Sequence, residues 1–275
     1  MTTLRSILLQ LDSTLASAAR LEFTRNIALR HNATLCTMFI DSPGEEPTPR
    51  SSSEDPAAMR EQMDRDNLDN TAALFDDTLS EHARTVHWLS CGADPVEAFC
   101  RQAPYADLPA LGQQHLSTSS SGTMAANFVE VAVMASGKPA LILPLTGNYG
   151  TPDRDVLIGW NAKPQAARAV TADLPWLRIA LRVHVLEFVG KAGPQRAGDL
   201  DVVQYLRPHG IESTLHLDRA APTDAGEVLL SFASAVGANL LVMGCYGHHR
   251  IRELVLGGAS RTVLGAMTLP VLMAH

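Results

Sequence analysis

Short apolar runs recur along the chain, each stopping at a polar residue or a glycine and each followed by a stretch with helical spacing. RSILLQL (5–11) ends at Asp12, and behind it Ala18, Leu21, Ile27 and Ala28 share one helical face within 16–28. A second strand pattern, ATLCTMFI (33–40), follows. The same order returns from residue 155. DVLIGW (155–160) ends at Asn161, PQAARAVTADLPWL reads as a helix, and IALRVHVLEF (179–188) reads as a strand.

The later parts match pairwise as well. TVHWL (85–89) and ESTLHL (212–217) are third strands with partial alternation. DPVEAFCRQA (94–103) and TDAGEVLLSFASAV (223–236) are helices with an Asp or Thr start signal. ADLPALGQ (106–113) answers to ANLLVMGC (238–245), each a buried strand running into a glycine, and KPALILP (138–144) answers to LPVLMAH (269–275). Two copies of a βαβαβαβ-type unit account for the 275 residues, one over 1–147 and one over 153–275. Strands alternating with helices predict open parallel sheets covered on both faces.

TGNYGTPDR (146–154) has the Gly, Pro and Asp content of a linker between the copies. DSPGEEPTPRSSSEDP (41–56) is too rich in Pro, Ser and acid to pack, and the acidic stretch 57–82 behind it reads as an amphipathic surface helix.

Composition narrows the function classes. Net charge is −7, which argues against nucleic acid or an anionic membrane as the main partner, and aromatic residues, at 5%, are too few for a base-stacking platform. The charge is split unevenly: residues 1–147 hold 10 basic and 18 acidic side chains, and residues 148–275 hold 12 and 11. An anionic ligand is therefore better tolerated in the second half. No run of 18 apolar residues is present, and the apolar run near the N-terminus is too short for a signal-peptide core. Cys36, Cys91, Cys100 and Cys245 show no CxxC spacing and read as free thiols of a reducing compartment, so the expected location is cytoplasmic.

The most informative segment is LLVMGCYGHHRIRELVLGGASRTVLGAM (240–267). An apolar strand ends at Gly244, a loop with Gly247 follows, and Gly257 and Gly258 open a helix carrying Ser260 and Arg261. Glycines let a backbone approach a ligand closely, and the free N–H groups of a helix start bind anions. His248, His249, Arg250 and Arg252 add positive charge beside them. If strand 1 of each half lies between strands 2 and 4, the strand order reverses between 1 and 4, and ligands bind at that reversal outside the carboxyl ends of the strands. Asn161 ends strand 1 of the second half and Gly244 ends its strand 4.

Gly244-Cys-Tyr-Gly247, nine residues, then Gly257-Gly258 resembles the G-x2-G-x9-G-[S/T] signature of the universal stress protein family. ILLQLDST, VLIGWNAK, ASGKPALILP and MTLPVLMAH resemble that family's flanking segments, and the likeness covers almost the whole chain as a tandem of two such domains. The resemblance implies the adenine nucleotide alpha hydrolase-like fold, with two tandem five-stranded parallel sheets in the order 3-2-1-4-5 flanked by helices. It also implies adenine nucleotide, ATP or AMP, held by the second domain through Asn161, Gly244, Gly247, His248, Gly257, Gly258 and Ser260. Two positions depart from the family pattern. Gly258 stands where a Ser or Thr is preferred, with Ser260 two positions on as a substitute hydroxyl, and Asn161 stands where an Asp is usual. The first half keeps Asp12 but has Gly112-Gln-Gln-His115 without a second glycine, so its site reads as non-binding.

The expected function is a nucleotide-binding or nucleotide-responsive regulatory module in stress response, with a nucleotide-free interaction protein and a slow ATPase as the alternatives. No nucleophile–base–acid constellation appears, and the adjacent His248 and His249 lack the carboxylate pattern of a metal site. Cys245 is a small residue chosen for space or a reactive thiol beside the cradle. The fifth strands, PALILP and PVLMAH, are apolar sheet edges that need covering, and pairing them against each other would make an intramolecular pseudo-dimer. Association of two chains as a homodimer is left open.

Overall fold

The computed structural model describes residues 4–12, 16–40, 86–89, 95–113, 128–146, 149–150, 154–189, 200–219, 224–245 and 258–275. The predicted loop 41–56 and acidic helix 57–82 lie outside them, as do Gly247, His248 and Gly257. In the first half the order is β1 (Ser6–Leu11), α1 (Ala16–His31), β2 (Thr34–Phe39), β3 (Val86–Leu89), α2 (Pro95–Gln102), β4 (Leu108–Gly112), α3 (Phe128–Ser136) and β5 (Ala140–Leu143). The second half repeats it with β6 (Asp155–Trp160), α4 (Pro164–Leu177), β7 (Arg182–Phe188), α5 (Val202–Leu206), β8 (Thr214–Asp218), α6 (Ala225–Val236), β9 (Leu240–Gly244), α7 (Gly258–Ala266) and β10 (Val271–Ala274).

The strand order is β3-β2-β1-β4-β5-β10-β9-β6-β7-β8. Each half is therefore an open 3-2-1-4-5 sheet, parallel throughout. The two five-stranded sheets meet as one ten-stranded sheet, because β5 and β10 pair antiparallel with Val271 opposite Ile142 and Met273 opposite Ala140.

Side-chain alternation explains why both faces carry helices. In β5, Leu141 and Leu143 enter one core while Ala140 and Ile142 enter the other; in β10, Leu272 and Ala274 join the first and Val271 and Met273 the second. The first core lies under α1, α4 and α5, and the second under α2, α3, α6 and α7. Both cores thus run through the β5–β10 junction and belong to both halves. Each fully buried Leu or Ile there contributes about 2 kcal/mol of transfer free energy.

Polar contacts tie the halves together on each face. On one, Trp176 Nε1 of α4 donates to His31 Nε2 of α1 at 2.9 Å. On the other, Gln113 Nε2 donates to the carbonyl of Leu264 in α7 at 2.7 Å. Glu130 of α3 is buried there, which raises its carboxyl above the usual range, while the charge of Arg261 on α7 acts to lower it.

One short helix, α5, was not legible as an apolar period. Its signal is a cap: Asp201 Oδ1 accepts the backbone N–H of Gln204 at 2.7 Å, satisfying a donor that a helix start leaves unbonded.

The edge pair β7–β8 carries a pH-sensitive contact. His184 Nδ1 lies 3.2 Å from His216 Nε2, and the His216 ring packs on Phe232 of α6 with centroids 4.7 Å apart. Burial holds His184 below the usual imidazole range; His216 and Arg182 push the same way and Asp155 opposes. A depressed folded pKa means that the unfolded chain takes up the proton first, so this stability is present above about pH 6.5 and is lost as the pH falls below it. His184→Leu is expected to flatten that acid slope; urea midpoints measured between about pH 5 and 8 check it. An unchanged slope would mean that His184 is not the titrating group.

Candidate functional site

The second half's strand order reverses between β6 and β9, which pair parallel with Gly159 opposite Met243. Their carboxyl ends are therefore neighbours, and Asn161 and Gly244 stand at the same edge of the sheet. Ala274 pairs with Gly244, which brings the end of β10 to that edge too.

The loop from β6 to α4 is built by Asn161. Its Oδ1 accepts the backbone N–H of Lys163 at 3.1 Å, a side-chain mimic of a backbone turn. Ala162 between them has φ of 55°, in the left-handed region that a residue with a Cβ seldom adopts. Pro164 then occupies the first turn of α4, where its missing N–H costs no helix bond. Asn161 is exposed, and its amide NH2 is the donor left at this edge after the turn has formed.

Gly244 is tightly constrained. A Cβ built there would lie 2.4 Å from the backbone nitrogen of Ala166 and 2.6 Å from the backbone carbon of Gln165. The close approach that this glycine permits is the first turn of α4 settling onto the end of β9. Cys245, next in sequence, is buried, and its backbone N–H donates to the carbonyl of Ala274 at 2.9 Å. Burial pushes its thiol well up, so it fits the small, space-filling reading and not that of a reactive thiolate.

Gly258 is the first residue of α7 and is exposed, whereas Ser260 is buried. The helix is set against α6 by another close approach: a Cβ on Gly226 would meet the carbonyl oxygen of Ala259 at 2.8 Å and Thr262 Cβ at 2.6 Å. Of the sequence-predicted residues, the structure thus describes Asn161 and Gly244 at adjacent strand ends and Gly258 and Ser260 in the opening turn of α7. Among the described residues no group of three or more His, Cys, Asp or Glu is arranged to hold a metal ion, and no helix is long and apolar enough to cross a membrane.

The corresponding edge of the first half carries a different arrangement. Asp12, Gln10, Arg20 and Gly112 form a buried hydrogen-bonded cluster there. Arg20 and Gln10 carried no signal in the sequence, since each sits in an apolar period where a polar residue reads as an interruption.

This architecture, two open parallel 3-2-1-4-5 α/β sheets joined through β5 and β10, is that of the adenine nucleotide alpha hydrolase-like fold. Residues 182–275 match the model described as the Universal stress protein family. No curated protein matches the sequence. Among solved structures, a universal stress protein from Archaeoglobus fulgidus DSM 4304 is 16% identical, with a TM-score of 0.67 over 100% of this chain and 99% of that one. A putative universal stress protein from Pseudomonas aeruginosa UCBPP-PA14 is 13% identical, with a TM-score of 0.59 over 98% and 93%. The cytoplasmic domain of a prokaryotic cation chloride cotransporter is 10% identical, with a TM-score of 0.51 over 98% and 94%. Identities this low establish the shared fold alone.

Proposed function

We propose that the chain is a two-domain stress-response module, 1–147 and 153–275, whose second domain binds an adenine nucleotide, ATP or AMP, at the ends of β6 and β9. The observation that carries this reading is the contrast between the two strand-order reversals. In the second half Asn161 stands exposed at the end of β6, with Gly244 ending the neighbouring β9, and α7 presents an exposed helix start at Gly258. A helix N-terminus with unbonded N–H groups favours phosphate. Gly247, His248 and Gly257 complete the proposed set from the loop between β9 and α7. Asn161 contributes its NH2 and no charge, which suits a ligand group that accepts hydrogen bonds.

Calorimetry with ATP and AMP tests it, and Gly258→Glu separates ligand contact from folding. A carboxylate in the first turn of α7 complements the helix dipole, worth about 0.5 kcal/mol, so the melting temperature is expected to hold or rise slightly. The same carboxylate repels a phosphate, so binding is expected to weaken at least roughly tenfold, equivalent to about 1.4 kcal/mol. Absence of heat with any adenine nucleotide, together with an unchanged melting temperature, would replace this reading with a nucleotide-free interaction protein.

A further inference from the structure

The first half has its own strand-order reversal, between the ends of β1 and β4, and an open α/β sheet takes its ligand at such a point. Here an arginine of the chain itself stands in that crevice. Arg20, on α1, is fully buried. Its Nη2 donates to both carboxylate oxygens of Asp12, at 2.7 and 2.9 Å, and its Nη1 donates to Gln10 Oε1 at 3.2 Å. Asp12 also accepts from Ser17 Oγ at 2.9 Å.

The surrounding backbone is shaped to the guanidinium. A Cβ on Gly112 would lie 2.1 Å from Arg20 Nη1 and 2.6 Å from its Cζ, so this glycine leaves the space the arginine fills. The backbone N–H of Gly112, the donor that a phosphate would need at the end of β4, is already bonded to Gln10 Oε1 at 2.9 Å. Gln10 Nε2 in turn lies 3.3 Å from the carbonyls of Leu11 and Ile40 and from Asp12 Oδ2. The ends of β1, β2 and β4 thus converge on one planar cation and its carboxylate.

The second half shows what the crevice is without that set. Eight residues beyond its strand-end residue Asn161 stands Ala169, where the first half has Arg20 eight residues beyond Asp12, and both are fully buried. Two residues before the strand-end residue, Gly159 stands where the first half has Gln10. Both members of the first-half pair are therefore replaced by small residues in the second.

We propose that the crevice of the first half is a guanidinium site permanently occupied by Arg20, a tethered internal occupant in place of an exchangeable ligand. A buried charge is retained when it is paired and hydrogen-bonded, and Arg20 is held through two nitrogens, Nη2 on the Asp12 carboxylate and Nη1 on Gln10, an arrangement that a guanidinium offers and an ammonium does not. The first half consequently needs no ligand to complete its fold and accepts no nucleotide there. The inference stands whether or not the second half binds one.

Arg20→Ala vacates the site and leaves Asp12 without its guanidinium. Its melting temperature is expected to fall by roughly 10 °C. Methylguanidinium chloride at low millimolar concentration is expected to restore part of that loss in Arg20→Ala, and none in the wild type or in the Asp12→Asn, Arg20→Ala double variant. An Arg20→Ala protein indifferent to methylguanidinium, or a wild type that gains as much from it, overturns the proposal. If Arg20→Ala does not fold, Arg20→Lys decides: an ammonium has one nitrogen and cannot serve Asp12 and Gln10 from two separate nitrogens as Nη2 and Nη1 do, so a clear drop in urea midpoint supports the site and a wild-type midpoint overturns it. A second equivalent of adenine nucleotide bound per wild-type chain also overturns it.

Discussion

Gly244→Val is expected to lower the stability of the chain by at least about 3 kcal/mol and its melting temperature by roughly 10 °C. The cause is backbone, not side chain. The new Cβ would sit 2.4 Å from the nitrogen of Ala166 and 2.6 Å from the carbonyl carbon of Gln165, and neither atom can rotate away. Helix α4 must lift from the sheet, and it carries Ala169, Val170, Leu174, Trp176 and Leu177 into a core shared by both halves. Lifting it also strains the Trp176–His31 hydrogen bond to α1. Urea unfolding followed by circular dichroism checks the prediction, and an unchanged midpoint would mean that α4 has room to move. A loss of nucleotide binding in Gly244→Val would therefore report damage to the fold, which is why Gly258→Glu is the variant that tests the ligand.

Asp173→Ala is expected to act in the opposite direction. Asp173 lies on the buried face of α4, and both of its carboxylate oxygens are buried without a hydrogen-bond partner among the described residues. Burial raises its pKa well above the ordinary carboxylate range. The sign follows from linkage. With the folded pKa raised, the native state holds a proton that the unfolded chain releases above about pH 4, so stability falls as the pH rises from there to the folded pKa and stays low beyond it. Alanine removes the unsatisfied carboxyl, typically a 1–3 kcal/mol penalty, and is the better helix former, so a gain of about 2 kcal/mol is expected at neutral pH. That gain should shrink as the pH is lowered toward about 4. Thermal melts of the wild type and Asp173→Ala at pH values from about 4 to 8 provide the measurement. A neutral or destabilising result would show that Asp173 is satisfied by a partner outside the described residues.

The two variants change different links of the same helix. Gly244 governs whether α4 can approach the sheet, and Asp173 sets what that approach costs once it is made. Neither role was legible in the sequence, where Gly244 read as part of a ligand cradle and PQAARAVTADLPWL only as a helix. The helix itself was legible to the residue, Pro164–Leu177, because proline at its first turn and apolar residues at helical spacing are local signals.

What the sequence by itself determined was the set of strands, the longer helices between them and their order. Strand alternation, helical spacing and glycine or proline punctuation act over a few residues, and they located β1 through β10 and the duplication to within a few positions. They also placed Asp12, Asn161, Gly112 and Gly244 at strand ends, the part of an α/β sheet where ligands bind. Tertiary structure alone decided what fills the first of those reversals. That filling depends on Gln10 meeting Gly112 across 102 residues and on Arg20 fitting where Gly112 has no Cβ. The bonds joining the halves, Trp176 to His31 and Gln113 to Leu264, span 145 and 151 residues. Contacts at such separations are fixed by how sheets and helices stack, and no local period records them. The sequence wrote the same frame twice, and packing built a buried ion pair at the first reversal, while at the second it set Leu229 against Gly159 and the first turn of α4 against Gly244.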